Sequence, residues 1–226
     1  MSGKLFVVAT PIGNLKDITF RAVETLKSVD YILAESPHHS KRLLETYAIK
    51  TKTVKYNDDY NVEKIIEKAV EDLKSGLNIA LISDAGTPTI SDPGYKIVHR
   101  CRQENIDVVP VPGANAAIAA VSVSGLPTDK FVFLGFLPKG KLKKEKMLKS
   151  YDGDATIVLY ESPHRILKTL NAIKSALGRR YVVVAREITK IHEEFISGFV
   201  DEVEEIIANK SSIKGEFVVL IRKADV

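Results

Sequence analysis

The chain has 226 residues, 45% of them hydrophobic and 27% charged, enough for one large or two modest domains with a real core. A net charge of +4 and a sequence pI near 8.9 permit an anionic partner without specifying one. Cys101 is the only cysteine, so an internal disulfide is excluded, and no apolar stretch approaches the length of a membrane span; the expectation is a soluble, cytoplasmic protein.

Residues 4–9 read as a first strand ending at Thr10-Pro11-Ile12-Gly13. Asp17 or Thr19 can cap the next helix, which carries Ala22, Val23 and Leu26 on one face. A second run, 31–34, ends at Glu35-Ser36-Pro37, and Ser40 is placed at the cap of a short helix with Leu43, Leu44 and Tyr47. Residues 52–56 make a weak strand candidate. Val62, Ile65, Ile66, Ala69, Val70 and Leu73 then repeat at the helical period, up to Gly76.

Ile79-Ala80-Leu81-Ile82 is uninterruptedly apolar, as suits a strand buried on both faces of a parallel sheet, and it stops abruptly at Ser83-Asp84. Two turn clusters lead to a helix that starts near Gly94 and carries Ile97, Val98 and Cys101; the cysteine fits a packed position better than a nucleophile's. Residues 106–111 form the next strand, ending at Pro112-Gly113-Ala114-Asn115 before an alanine-rich helix. Such alternation predicts right-handed βαβ units in a parallel sheet. The linker pattern Gly125-Leu126-Pro127 places a boundary there, giving α/β domains 1–125 and 126–226.

The second half offers strands at 131–134, 156–160, 181–185 and 215–221. Ser162 and Pro163 read as the cap and first turn of a helix bearing Ile166, Leu167, Leu170, Ile173 and Leu177. A short helix is expected around Val200, Val203, Ile206 and Ile207. Residues 139–149 hold six lysines against the single acid Glu145. A solvated helix face is the ordinary reading of such a run, and a phosphate-tracking face is the sharper one.

No G-x-G-x-x-G opens a helix after a strand, and neither a P-loop, a G-x-S-x-G elbow nor a Cys/His metal spacing is present. Adjacent His38 and His39, with Asp58 and Asp59, are poorly spaced to share one ion, so no metal is expected. What recurs is strand ends that combine proline or glycine with one polar group, at Pro11, Ser36, Asp84, Asn115, Glu161 and Glu187. Small residues let backbone approach a ligand closely, and a set of such loops suggests a cleft.

These residues carry a resemblance. The chain resembles the tetrapyrrole methylase superfamily, in particular its ribosomal RNA branch. The matching segments are ATPIGNLKDIT at 9–19, SDAGTPTISDPG at 83–94, VPGANAA at 111–117, GLPTDKFVFLGFLP at 125–138, YESPHR at 160–165, AREITKIHEE at 185–194 and KGEFVVLI at 214–221. Together they span nearly the whole chain in the family's order. The resemblance implies two α/β domains, a mainly parallel sheet in the first and a mixed sheet in the second, with S-adenosylmethionine in the cleft between them. It further implies a homodimer that 2′-O-methylates a cytidine of 16S rRNA at the decoding centre, on the RNA or the small ribosomal subunit. Methylation of a tetrapyrrole or other small molecule, and a non-catalytic cofactor- or RNA-binding role, are the competing readings.

Carried over by residue, the cofactor contacts fall on Pro11, Ser83, Asp84, Ala85, Asn115, Ala116, Tyr160 and Glu161. Glu35, Glu187 and Lys190 are the candidates for taking the ribose proton. Lys143, Lys144, Lys146 and Arg186 are candidates for RNA phosphate. The family usually places Asp-Thr-Arg where Ser36-Pro37-His38 stand, and a histidine-rich acidic segment near residues 56–61. Those departures fall where the proton acceptor and RNA contacts are expected.

Overall fold

Ile79-Ala80-Leu81-Ile82 forms strand β4 (Ile79–Ile82), and its side chains divide by parity. Ile79 and Leu81 enter one apolar cluster with Leu5, Leu33 and Ile97, while Ala80 and Ile82 enter another with Val8, Leu26 and Ile32. A strand covered on both faces needs no polar alternation, which is why this run is continuous. The computed structural model describes residues 2–58 and 62–223.

Among the described residues the chain divides into two compact units, Met1–Asn115 and Ala116–Val226. The first holds a five-stranded, wholly parallel sheet in the order β3-β2-β4-β1-β5, built from β1 (Leu5–Val8), β2 (Tyr31–Ala34), β3 (Thr53–Lys55), β4 and β5 (Val108–Val111). Helices α1 (Phe20–Ser28) and α2 (Pro37–Thr46) cover one face, and α3 (Val62–Lys74) and α4 (Tyr95–Gln103) the other. On α3 the stripe Val62, Ile66, Ala69, Val70, Leu73 is buried as its period predicts. Cys101 is fully buried in the α3–α4 cluster, and burial pushes its thiol up to about 11, so it is not a nucleophile.

Thr19 caps α1 by accepting the Ala22 N–H. The α2 cap lies earlier than expected: Ser36 Oγ accepts the His39 N–H and Pro37 takes the first helical position. Ser40 lies inside the helix, its hydroxyl donating to Ser36 O at 3.2 Å.

The second unit begins with α5 (Ala116–Val123), followed by β6 (Phe131–Phe136), α6 (Lys141–Ser150), β7 (Thr156–Glu161), α7 (Ile166–Leu177), β8 (Tyr181–Arg186), β9 (Glu194–Phe199), α8 (Val200–Ala208) and β10 (Phe217–Ile221). Its sheet runs β6-β7-β10-β8-β9, with β6 and β7 parallel and the other pairings antiparallel. The division falls after Asn115, ahead of the Gly125 linker, because α5 packs on β7 and β10 of the second sheet. Helix α7 starts at Ile166 with Arg165 as its N-cap, so Ser162 and Pro163 form a preceding turn whose Ser162 O accepts the Arg165 and Ile166 N–H groups.

Candidate active site

In the first unit, the carboxyl ends of adjacent strands are stitched together by backbone. Beyond β1 and β4, Thr10 and Gly86 exchange both hydrogen bonds, 2.8 Å and 3.0 Å, as an isolated antiparallel bridge. Gly86 has φ +80°, a conformation that a side chain rarely tolerates. The chain leaves β1 toward β2 on one side of the sheet and β4 toward β5 on the other. Open α/β sheets bind ligands at the carboxyl ends where such a reversal occurs.

Pro11 follows Thr10 and is buried. Ser83 is buried as well, and its hydroxyl donates to Ala85 O at 3.3 Å. Asp84 and Glu35 are linked reciprocally. The Asp84 N–H donates to Glu35 Oε2 at 3.2 Å, and the Ser36 N–H donates to Asp84 Oδ1 at 3.1 Å. Each carboxylate therefore holds the backbone of the other loop. On the other side of the bridge, Thr87 Oγ1 donates to Ala114 O at 3.1 Å, which ties the loop after β4 to the turn that carries Asn115. Thr89 and Ser91 both have positive φ, 76° and 66°, so the segment holds non-glycine residues in a left-handed conformation. Asp58 braces the far end, accepting from Gly94 N at 3.2 Å and from Tyr56 Oη at 3.0 Å. Burial, then the Asp58 hydrogen bond, pushes the Tyr56 phenol up.

In the second unit, Tyr160 Oη accepts the Ala117 N–H at 3.2 Å, beside Ala116 at the start of α5. Phe133 and Phe136 meet its ring edge-on, with centroids at 4.8 Å and 5.9 Å. The Glu161 side chain turns inward and is fully enclosed. Its Oε1 accepts the Ser162 N–H at 2.8 Å and lies 3.3 Å from Arg165 Nε, while Oε2 accepts from Thr169 Oγ1 at 2.6 Å. A carboxylate so occupied offers no oxygen to a ligand, so the expected cofactor contact of Glu161 is limited to its backbone.

Lys143 and Lys146 are exposed on α6, as a phosphate-facing role requires. Lys144 is not: it is 3% exposed and donates to Thr169 Oγ1 at 2.8 Å. Burial pushes its ammonium down, opposed by Glu161. This placement corrects the expectation that Lys144 meets RNA. The lysine run as a string could not reveal it, because the signal lies in Thr169, twenty-five residues on.

Arg186, Glu187 and Lys190 are brought together at the end of β8. Arg186 Nε donates to Lys214 O at 2.7 Å, and its Nη1 to Glu194 Oε2 at 3.3 Å. Lys190 Nζ lies 2.8 Å from Glu187 Oε1 and 2.9 Å from Glu216 Oε2. Burial works against charge on both partners, yet the Glu187 and Glu216 hydrogen bonds hold Lys190 above the usual lysine range. The Lys190 bond and the Glu216 N–H likewise hold Glu187 below the usual carboxylate range. A lysine held protonated has no lone pair to accept a proton, and a carboxylate that releases its proton readily is a weak base, so this pair is poorly suited to that task. Among the described residues no group of three or more His, Cys, Asp and Glu could hold a metal ion; Asp59 lies outside them.

The model of Tetrapyrrole (Corrin/Porphyrin) Methylases matches residues 4–204. The chain belongs to the tetrapyrrole methylase family. Membership makes it a methyltransferase and implies a methyl donor. This tetrapyrrole methylase is 49% identical over 220 residues to the ribosomal RNA small subunit methyltransferase I of Bacillus subtilis, covering 97% of this chain and 75% of that protein. It is 46% identical over 220 residues to the protein of the same name from Thermotoga maritima, covering 97% and 98%. Among solved structures, a diphthine synthase superposes with TM-score 0.74 at 15% identity over 98% of this chain and 91% of that one. A cobalt precorrin-4 methyltransferase gives 0.69 at 17% identity over 97% and 94%. At such identities these neighbours speak for the fold, which is the expected one of two α/β units with a parallel and a mixed sheet.

Proposed function

We propose that this chain transfers a methyl group from S-adenosylmethionine to the 2′-hydroxyl of a cytidine ribose in 16S rRNA at the decoding centre. The observation that carries the reading is identity of 46–49% over nearly the whole chain to proteins named ribosomal RNA small subunit methyltransferase I. The substrate is the RNA or the small ribosomal subunit, and the working form is a cytoplasmic homodimer. No described helix is long and apolar enough to cross a membrane.

The donor set fits the cofactor. A sulfonium is a cation, and Asp84 and Glu35 place two carboxylates at the strand ends. Small Ala85 and Ala116 leave backbone approachable. On this reading the residues that hold the donor are Pro11, Ser83, Asp84, Ala85, Asn115, Ala116 and Tyr160. When bound, S-adenosylmethionine supplies an already activated methyl group. The chain's task is then to align the ribose oxygen, which accounts for much of the acceleration in a transfer of this kind. Glu35 is the proton acceptor best placed to serve, since Lys190 would first have to give up its Glu187 and Glu216 contacts. Lys143 and Lys146 meet phosphate, and Arg186 joins them on release from Glu194.

Primer extension at low dNTP across 16S rRNA from cells lacking the protein tests the reading. The expected result is loss of one stop that complementation restores; an unchanged stop pattern refutes it.

A further inference from the structure

Lys144, Thr169 and Glu161 form a buried polar chain that the proposed chemistry does not use. Their relative exposures are 3%, 0% and 2%. Lys144 Nζ has only protons to give, so at 2.8 Å it donates to Thr169 Oγ1. The hydroxyl must then direct its single proton to Glu161 Oε2, 2.6 Å away. The carboxylate end is closed by further contacts: Glu161 Oε1 takes the Ser162 N–H, and Arg165, which lies against Glu161, donates through Nη2 to Leu137 O. The chain thus links α6, α7 and the end of β7. The Thr169 hydroxyl satisfies both neighbours only by accepting from Lys144 and donating to Glu161, and a buried link of that kind holds the backbone it joins in place.

What it holds is Glu161, the residue that follows Tyr160 on β7. Along β7, Ile157 and Leu159 face the α6–α8 core together with the Glu161 carboxylate, while Tyr160 points to the opposite face and takes the Ala117 N–H. Fixing Glu161 fixes the pleat, and with it the direction of Tyr160. We propose that Thr169, with Lys144, is a positioning residue for the methyl donor, locking Glu161 so that Tyr160 is presented in one orientation. This rests on the reading that Tyr160 contacts S-adenosylmethionine.

The test is calorimetric titration of the full chain with S-adenosylmethionine, at a temperature where circular dichroism shows each variant folded. Thr169→Val removes the hydroxyl at constant shape, and the Kd rises roughly three- to tenfold, the factor that one hydrogen bond represents. Thr169→Ser restores the hydroxyl and returns the Kd to within about twofold of wild type on the same basis. A purely structural role would lower the melting temperature of Thr169→Val and leave its Kd unchanged; that result overturns the inference alone. A wild type that does not bind the donor overturns the underlying reading with it. Should Thr169→Val fail to fold, Lys144→Met carries the test, since it keeps Thr169 and Glu161 together; an unchanged Kd in that variant overturns the inference.

Discussion

The reciprocal contacts of Glu35 and Asp84 make a quantitative prediction about coupling. Glu35→Ala deletes the acceptor of the Asp84 N–H, and Asp84→Ala deletes the acceptor of the Ser36 N–H. A hydrogen bond to a charged acceptor contributes about 1.5–3 kcal/mol, so each single variant loses about that much where the amide stays dry, and less where water reaches it. Were the two bonds independent, the double variant would lose the sum, about 3–6 kcal/mol. They are not independent, because each spans the same gap between the ends of β2 and β4. Once one is gone, the loops separate and the other is already weakened. The double variant should therefore fall short of the sum by about 1 kcal/mol, well above the few tenths expected of separate sites. Urea unfolding of the four proteins measures this, and calorimetry with S-adenosylmethionine on the same samples follows the cofactor. Additivity within about 0.3 kcal/mol would refute the clamp.

The Glu187–Lys190 pair sets a pH signature. Lowering of the Glu187 pKa means its contribution is fully present above the ordinary value of 4.5 and is lost as pH falls through its folded pKa. Raising of the Lys190 pKa means its contribution is fully present below 10.5 and lost as pH rises through its folded pKa. The stability difference between wild type and Lys190→Met, by denaturant titration, should hence be largest between those values and shrink on the acid side; a flat difference down to pH 2 would contradict it. For the exposed lysines, charge reversal at Lys143 and Lys146 should weaken RNA binding and lower the slope of log K against log salt by about 1 per phosphate contact removed, read by filter binding across a salt series. A slope equal to wild type would return α6 to a solvated face. Lys144→Glu differs in kind, because a second buried carboxylate beside Glu161 should destabilise the fold itself.

Much of this architecture is legible in the sequence because burial writes itself as period. The four-residue run of β4 and the stripe of α3 are read directly, since both faces or one face of each is dry. Edge strand β9 leaves no comparable mark. Only Ile196 is buried there, and one inward side chain makes no alternation. Ser36 and Ser40 are equally good caps by composition, and the choice is made by Pro37, whose fixed φ suits the first helical position. The site is legible in part. Proline- and glycine-bearing strand ends mark the loops, but whether a polar side chain in them faces a ligand or the interior depends on partners far along the chain. Glu161 and Lys144 both turn inward for the sake of Thr169.

The order of strands in the second sheet has a consequence for synthesis. Strand β10 pairs with β7 on one side and β8 on the other, yet it is the latest of the sheet's strands to be translated. Until residue 221 has left the ribosome, β6–β7 and β8–β9 exist as separate ribbons. The facing edges of β7 and β8, lined by Ile157, Leu159, Val182 and Val184, lack their partner. Exposed apolar edges of that kind recruit other chains. The nascent second unit therefore carries unpaired strand edges until β10 is made, whereas the strands of the first unit's parallel sheet are all translated by residue 111.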